Sequence, residues 1–482
     1  MNSMFSREKS NQQSGYLLVL VLVFGGIFFM IAGSFISYTV TQSQVIEQRH
    51  QLEVAAEIAE AGLNYYKWFL AHYPNDVTNG TGGPGPFVHV YEDPELGPIG
   101  EFSLAIASSS YCGSISSIEV TSTGRTYQAP DLERVVTARY AQPTVAEYAY
   151  IINSSVWAGA DRTIIGPYHS NQGIRMDGAN QSTVTSGQTD WQCTSSFGCN
   201  PTVTSGGVFT TTATANPLLF SYPSSPINFT DLSIDLSRIL DSAQNNGGIY
   251  VPFSGTFGYR VVFNGNGTVT FRRVTDTYNY FGFSSEDGRQ QERNIIRNTA
   301  SYNTYTINPE CPIIYVADKI WLEGEVDQKV TIAAAGTDIT GSDPDVILEG
   351  NITYDDPAED GLLVIAEDNV LAGVTVPNNM EINGIFIAQN GRFGRNHYVF
   401  SDLPNPSGAI DFRPFYARNS LTTNGSVVSN GRVGTQWNSG GSFVSGFQNR
   451  VNTYDRNLVS DPPPLVPNTS DVYEFIEWRE VN

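Results

Sequence analysis

From Tyr16 to Val40 the chain carries no charge: YLLVLVLVFGGIFFMIAGSFISYTV. At a rise of about 1.5 Å per residue, a helix of this length covers a hydrocarbon layer of about 30 Å. The first proline after it is Pro74, and the run NGTGGPGP at 79–86 then stops any helix. Between these limits Val45, Leu52, Ala55, Ala56, Ala59 and Leu63 recur at three- and four-residue spacing, with charges on the other side. The pattern predicts one helix over 16–73, apolar in its first half and amphipathic in its second. A secretory signal has a shorter apolar region, about 7–15 residues, and does not continue as a helix. Arg7 and Lys9 precede the span, and Glu47, Glu53, Glu57 and Glu60 follow it. The positive-inside rule then places residues 1–15 in the cytoplasm and the rest outside, as a single-pass protein of the cytoplasmic membrane.

A short charged leader ending in Gly15, an aromatic residue at Tyr16 and then an apolar helix resemble the start of type IV pilins and pseudopilins. The resemblance implies cleavage by prepilin peptidase after Gly15, with Tyr16 as the mature first residue. An uncleaved signal anchor is the plain alternative. The stretch AEIAEAGLNYYKWFLA at 56–71 is similar to the end of the N-terminal helix in PilX-like minor pilins. Two positions depart from the usual pattern: Tyr16 stands where Phe is commoner, and Leu20 stands where most major pilins carry a glutamate. The chain therefore resembles minor pilins more than filament-building ones. Gly25, Gly26 and Gly33 would permit close approach to neighbouring membrane helices. The implied partners are other pilin or pseudopilin subunits, through residues 16–73, and the lipid bilayer.

Beyond residue 86, short β-branched and aromatic runs alternate with Gly, Asn, Ser, Thr and Pro, which is a strand-and-turn pattern. Residues 99–107, 115–123 and 132–141 read as strands, a small antiparallel sheet that would cover the helix's apolar stripe. One further helix is predicted at 231–246, with Leu232, Leu236, Ile239, Leu240 and Ala243 on one face. A pentapeptide with apolar first and third residues and a final glycine recurs as IRMDG (174–178), IWLEG (320–324), VILEG (346–350) and MEING (380–384), and more weakly as LTTNG (421–425). Stacked strand-and-corner units of this kind build a β-solenoid, here an irregular one. A β-sandwich with similar turns remains open. The expected fold class is α+β, mainly β. Its expected parts are a leader at 1–15, the helix at 16–73, a small β subdomain at 87–145, a solenoid-like ectodomain at 146–470, and a C-terminal tail at 471–482. The stretches IIGPYHSNQGIRMDG (164–178), KVTIAAAG (329–336), LLVIAEDNV (362–370) and RVNTYDRNLVSDPPPLVP (450–467) also resemble the β-rich ectodomain of PilX-like pilus assembly proteins.

Four cysteines in a body outside the membrane permit disulfides, and four allow three pairings. Proximity favours Cys193–Cys199, which leaves Cys112 with Cys311. Zinc is disfavoured, since the close pair is spaced too widely and no histidine pair lies near it. The net charge is −22, and lysine occurs only at Lys9, Lys67, Lys319 and Lys329. Such a chain lacks the clustered cations that bind a phosphate backbone, so nucleic acid is not an expected partner.

No HExxH, GxSxG or GxxxxGK[ST] pattern occurs. His169 beside Ser170 is the most suggestive base, although a structural histidine is the plainer expectation. Asp177, Asp318, Glu323, Glu325 and Glu349 are the carboxylates from which a glycosidase-like β-helix site would be built. Asp343, Asp345, Asp355 and Asp356, with Glu359 and Asp360, form an oxygen-rich stretch and are weak calcium candidates. Phe253, Phe257, Tyr259, Tyr278, Tyr280, Phe281 and Phe283 form an aromatic cluster suited to a carbohydrate or cell-surface ligand. The expectation is a non-enzymatic, cofactor-free surface protein taking part in pilus assembly or adhesion. A membrane-anchored adhesin outside any filament and a polysaccharide-cleaving β-helix are the alternatives.

Overall fold

The computed structural model of the chain describes residues 14–73, 76–232, 236–336, 339, 341–470 and 472–481. Residues 1–13 of the expected leader lie outside the described residues, as does Pro74. One helix runs Ser14–His72, about 90 Å long by its residue count. It stops just before Pro74, because the residue before a proline is pushed out of helical geometry.

The two halves of the helix have opposite environments. Leu17, Leu22, Phe28 and Phe29 are exposed, whereas Ala55, Ile58, Ala59, Leu63, Tyr66, Phe69 and Leu70 are buried. The second set, spaced by three and four, is a helical stripe. It packs on a five-stranded antiparallel sheet ordered Phe87–Asp93, Gly97–Tyr111, Ser114–Thr126, Glu133–Ala141 and Glu474–Val481. Two glycines set the approach. A Cβ on Gly124 would lie 2.2 Å from the Ala55 carbonyl oxygen and 2.5 Å from the Ala59 nitrogen. A Cβ on Gly62 would lie 2.3 Å from Ser122 Oγ. Tyr140 Oη donates to the Leu63 carbonyl, and Thr126 Oγ1 donates to Gln51 Oε1 at 2.6 Å.

The expected C-terminal tail at 471–482 is corrected: Glu474–Val481 is the edge strand of this sheet. Glu477, Arg479 and Glu480 make the segment look like a solvated tail, but charge is tolerated, and protective, on an edge strand. Phe475 reaches inward to Tyr140, ring centroids 4.1 Å apart. The strand Phe87–Asp93 at the other edge was likewise absent from the sequence expectation.

Residues 144–470 build mixed sheets in which long parallel ladders dominate. One ladder joins Ile249–Val251, Ile313–Val316, Lys329–Ala334, Gly361–Ala366, the ends of Asn379–Ala388 and Ala417–Ser429, then Tyr150–Ile152, Tyr168–Ser170, Val184–Ser186 and Phe220–Ser221. A second runs beside it from Tyr259–Asn264 through Ile320–Val326, Val346–Tyr354, Asn379–Ala388, Ala417–Ser429 and Ser442–Thr453 to Arg162–Ile165 and Ala179–Asn180. The stacking order is therefore not the chain order: the segment after Tyr150 stacks on the C-terminal strands. Residues 222–248 connect strands at opposite ends of the first ladder. On the way they lay the helices Phe229–Leu232 and Leu236–Asn245 over its outer side, burying Leu232, Ile239 and Ala243 against Ile313 and its neighbours. The helix expected at 231–246 is thus described as helical over 229–232 and 236–245, and residues 233–235 lie outside the described residues.

The pentapeptides explain the core. Ile320 and Leu322, Val346 and Leu348, Met380 and Ile382, and Leu421 all point into one interior cluster with Ile314, Val364 and Phe386. The first three residues of IWLEG and VILEG sit in register before a shift that sets Gly324 opposite Ile352, and MEING and LTTNG sit in register throughout, with Gly384 and Gly425 opposite each other. IRMDG belongs instead to a three-stranded parallel sheet with Val156–Ala158 and Val208–Phe209. Cys112, in the turn between two strands of the helix-covering sheet, is bonded to Cys311, just before Ile313–Val316. Cys193 is bonded to Cys199.

Candidate functional site

Two surfaces stand out. The first is the exposed half of the long helix, the one described helix long and apolar enough to cross a membrane. Its apolar stretch is not buried in the chain itself. An apolar cylinder of this length needs a lipid or helical environment.

The second is a cleft of about 390 Å³. It exists because one hairpin, Thr268–Ser284 and Gly288–Thr306, folds back over the ladder. Val274 and Ile296 of the hairpin pack on Trp321, Ile347 and Leu371, and Tyr280 and Ile295 pack on Val374 and Tyr398. Trp321 Nε1 donates to the Asn294 carbonyl at 2.8 Å. The hairpin tip is latched by reciprocal Phe283–His397 backbone bonds of 3.0 and 2.8 Å and by Arg289–Asp402 at 2.7 Å.

The facing wall is a row of corner residues from successive strands. Lys319 Nζ lies 3.4 Å from Asp345 Oδ2, Asn369 Nδ2 donates to Asp345 Oδ1 at 3.0 Å, and the Arg392 N–H donates to Asn369 Oδ1 at 3.0 Å. Burial, then the neighbouring Asp345, Asp343 and Asp287 carboxylates, push Asp368 up to about 7, against the pull of Arg392. Burial likewise pushes Glu349 up to about 7, with Thr375 holding it down and Glu323 adding to the rise.

The sign of the stability effect follows. A carboxyl with a raised folded pKa binds its proton more tightly when folded. Its contribution is full below the ordinary carboxyl range and is lost as pH rises toward 7. Asp368→Asn is therefore expected to melt higher than wild type at pH 7.5, with the gap closing toward pH 4. Melting curves of both proteins across that range check it; a gap independent of pH would contradict it.

The calcium candidates are split. Asp343 and Asp345 line the cleft. Asp355 and Asp356 lie in a separate turn, where the Asp355 N–H donates to the Val326 carbonyl and the Asp356 N–H to Asp360 Oδ2. Among the described residues no group of three His, Cys, Asp or Glu could hold a metal ion. Sequence proximity placed these carboxylates together, but the strand Val346–Tyr354 carries them apart.

The other candidates are spent on internal contacts. His169 is buried, and both ring nitrogens are engaged, by Thr185 Oγ1 at 2.8 Å and Asn171 Oδ1 at 2.9 Å. Burial lowers its pKa. Asp177 is buried, which raises its pKa, but bonds from the Thr211 N–H, Trp157 and Arg175 bring it below the usual range. Asp318 accepts from the Ser254 N–H at 2.9 Å, and Glu323 pairs with Arg260. Of the aromatic cluster, Tyr259 and Tyr280 are core, while Phe253, Phe281 and Phe283 are exposed. Asp287, Glu292, Asp368, Asn369 and Arg392 of the cleft were not singled out from sequence. The local signal for Asp368, Asn369 and Arg392 is the recurrence of a polar corner before an apolar strand, whereas Asp287 and Glu292 come from the hairpin.

The chain is thus an α+β, mainly β protein with one long apolar helix. No protein-family model matches it, and no curated protein matches it. Among solved structures, the competence-associated pilin ComZ from Thermus thermophilus is similar at a TM-score of 0.30 and 12% identity, over 89% of this chain and 98% of that one. The likeness is too distant to argue from.

Proposed function

We propose that this chain is a membrane-anchored, pilin-like surface protein of the PilX-like minor pilin kind, without enzymatic activity, that takes part in type IV pilus assembly or adhesion. The observation that carries this reading is the division of one helix: its first half is apolar and uncovered, and its second half is the spine of a sheet-covered head. The first half inserts in the bilayer and packs on other pilin helices, and the head displays the ladder-built body outside. The leader and Gly15–Tyr16 fit prepilin processing. The parallel register of the ladders supports a β-solenoid ectodomain over a sandwich, whose sheets are antiparallel. The engagement of His169, Asp177 and Asp318 in internal bonds supports a non-enzymatic role.

Mass measurement of the native amino terminus tests processing: a chain beginning at Tyr16 is expected, and an intact residue 1 would remove the pilin assignment's main support. Immunogold labelling of purified pili separates a filament component from a free anchored adhesin. A charge at the middle of the span tests the anchor. Phe28→Arg costs about 3 kcal/mol on the translocon-insertion scale. It is expected to lower the fraction of full-length protein that resists carbonate extraction. Wild type that washes off as readily as the variant would show that the helix is no anchor.

A further inference from the structure

The interior of the ladder-built body is apolar along most of its length, but one level of it is not. Arg162 and Arg450 stand opposite each other where Ser442–Thr453 pairs with Arg162–Ile165, and both are buried. Tyr150 and Tyr168, fully buried, lie beside them with ring centroids 5.0 Å apart. Asn452 stands opposite the interior residue Ile164, Thr423 stands opposite Asn452, and both are buried.

The charges at this level do not balance. Arg450 is fully engaged: its Nε and Nη2 each donate to Asp161 at 2.8 Å, and its Nη1 donates to Thr435 Oγ1 at 3.4 Å. Asp161 is the one carboxylate that bears on either guanidinium, and Arg450 consumes it. Arg162 is 2% exposed, and among the described residues no carboxylate lies within ion-pair distance of it. An arginine stays charged at any ordinary pH. Tyrosinate supplies no counter-charge, because burial raises the Tyr150 and Tyr168 hydroxyls above their usual range against the pull of the two arginines. A buried guanidinium without a counter-ion is costly.

Hydrogen-bond donors are left over around the same charge. Arg162 Nη2 donates to Tyr150 Oη at 3.3 Å, but its Nε–H has no acceptor. The Asn452 amide lies beside the same Tyr150 hydroxyl, yet neither its Nδ2 nor its Oδ1 makes a hydrogen bond, and Thr423 Oγ1 makes none. A buried water would satisfy such groups and leave the charge standing. An anion answers both. These atoms are sealed from solvent, and Ile164, Tyr168 and Val427 around them are fully buried, which restricts the occupant to an ion little larger than water and excludes a phosphate or a sugar acid.

We infer that the body holds one buried halide ion, chloride under ordinary conditions, between Arg162, Asn452 and Thr423. The ion sits where the segment after Tyr150 stacks on the C-terminal strands, so it helps to close that stack.

Equilibrium dialysis of the full chain in detergent with radiolabelled chloride tests the site, with gluconate, too large to enter, keeping the ionic strength constant. One chloride per chain is expected, either exchanging saturably and displaced by bromide, or released on denaturation after dialysis into gluconate and read by ion chromatography. Melting is expected at least about 2 °C higher in about 150 mM chloride than in gluconate. Arg162→Met is expected to abolish the bound chloride and the salt difference. Asn452→Asp places a built-in anion beside Arg162. It is expected to lose the chloride while melting in gluconate as wild type does in chloride. If Arg162→Met does not fold, Asn452→Asp is read together with Thr423→Val, which is expected to weaken binding at least threefold. No bound chloride in wild type, equal melting in the two salts, or undiminished chloride in a folded Arg162→Met or Asn452→Asp would each overturn the halide site and leave only water there.

Discussion

Gly124→Val is expected to lift the long helix off its sheet. A Cβ at that position would meet backbone, the Ala55 carbonyl oxygen and the Ala59 nitrogen, at distances real Cβ atoms do not adopt. Backbone cannot rotate away as a side-chain tip can, so the helix must move outward. That movement would open the contacts of Ile58, Leu63 and Tyr66 with Phe102, Val120 and Val136. Overpacking of a tight core typically costs about 1–3 kcal/mol, and a rigid helix–sheet contact belongs at the upper end or beyond. Gly83→Ala provides the control, because a Cβ there meets nothing within 4 Å. Hydrogen exchange over residues 51–72 and 118–126 reads the result: faster exchange in Gly124→Val and wild-type exchange in Gly83→Ala are expected. Unchanged protection in Gly124→Val would mean that the helix sits differently on the sheet.

The same contact shows what a sequence can reveal. The helix was legible because its signals are local: no proline from 16 to 73, an uncharged first half, and a stripe at 55, 59 and 63. Its glycine at 62, part of the AEAGL phrase, acquires a physical reason only when Ser122 and Phe102 are seen to fill the space a Cβ would need. The strands at 99–107, 115–123 and 132–141 were legible for the same reason, since alternation and turns are local. What stayed hidden depends on pairing across the chain. Glu474 meets Ala141, and Tyr150 meets Val427. Nothing in either segment names the other. The cleft is the extreme case: Asp287 comes from a hairpin tip, Asp343 and Asp368 from corners, and the packing of Val274 on Trp321 and Ile347 lays that hairpin over the ladder. The weak calcium candidates are split for the same reason, because carboxylates close in sequence are separated by an intervening strand.

Loss of the Cys112–Cys311 bond is expected to destabilise the protein far more than loss of Cys193–Cys199. The first closes a loop with a sequence separation of 199, the second one of 6. In the chain-entropy description the difference is (3/2)RT ln(199/6), about 3 kcal/mol in favour of the long loop. The long bond also has a mechanical role. It ties the helix-covering sheet to the ladder-built body. Beside it run polar contacts that include the Cys112 N–H to the Glu310 carbonyl at 2.8 Å, Arg139 Nη1 to the Ser460 carbonyl at 3.1 Å, the Thr469 N–H to the Pro143 carbonyl at 2.7 Å and the Arg139–Asp461 pair at 3.8 Å. Hydrogen bonds with a net worth of about 0.5–1.5 kcal/mol each do not couple two bodies as a covalent tie does. Cys112→Ala/Cys311→Ala is therefore expected to show two separate unfolding transitions in denaturant, where wild type shows one. Cys193→Ala/Cys199→Ala is expected to keep one transition, with local exchange between 190 and 206. A single transition at the wild-type midpoint in Cys112→Ala/Cys311→Ala would mean that the two bodies are held by packing, with the bond merely spectator to it.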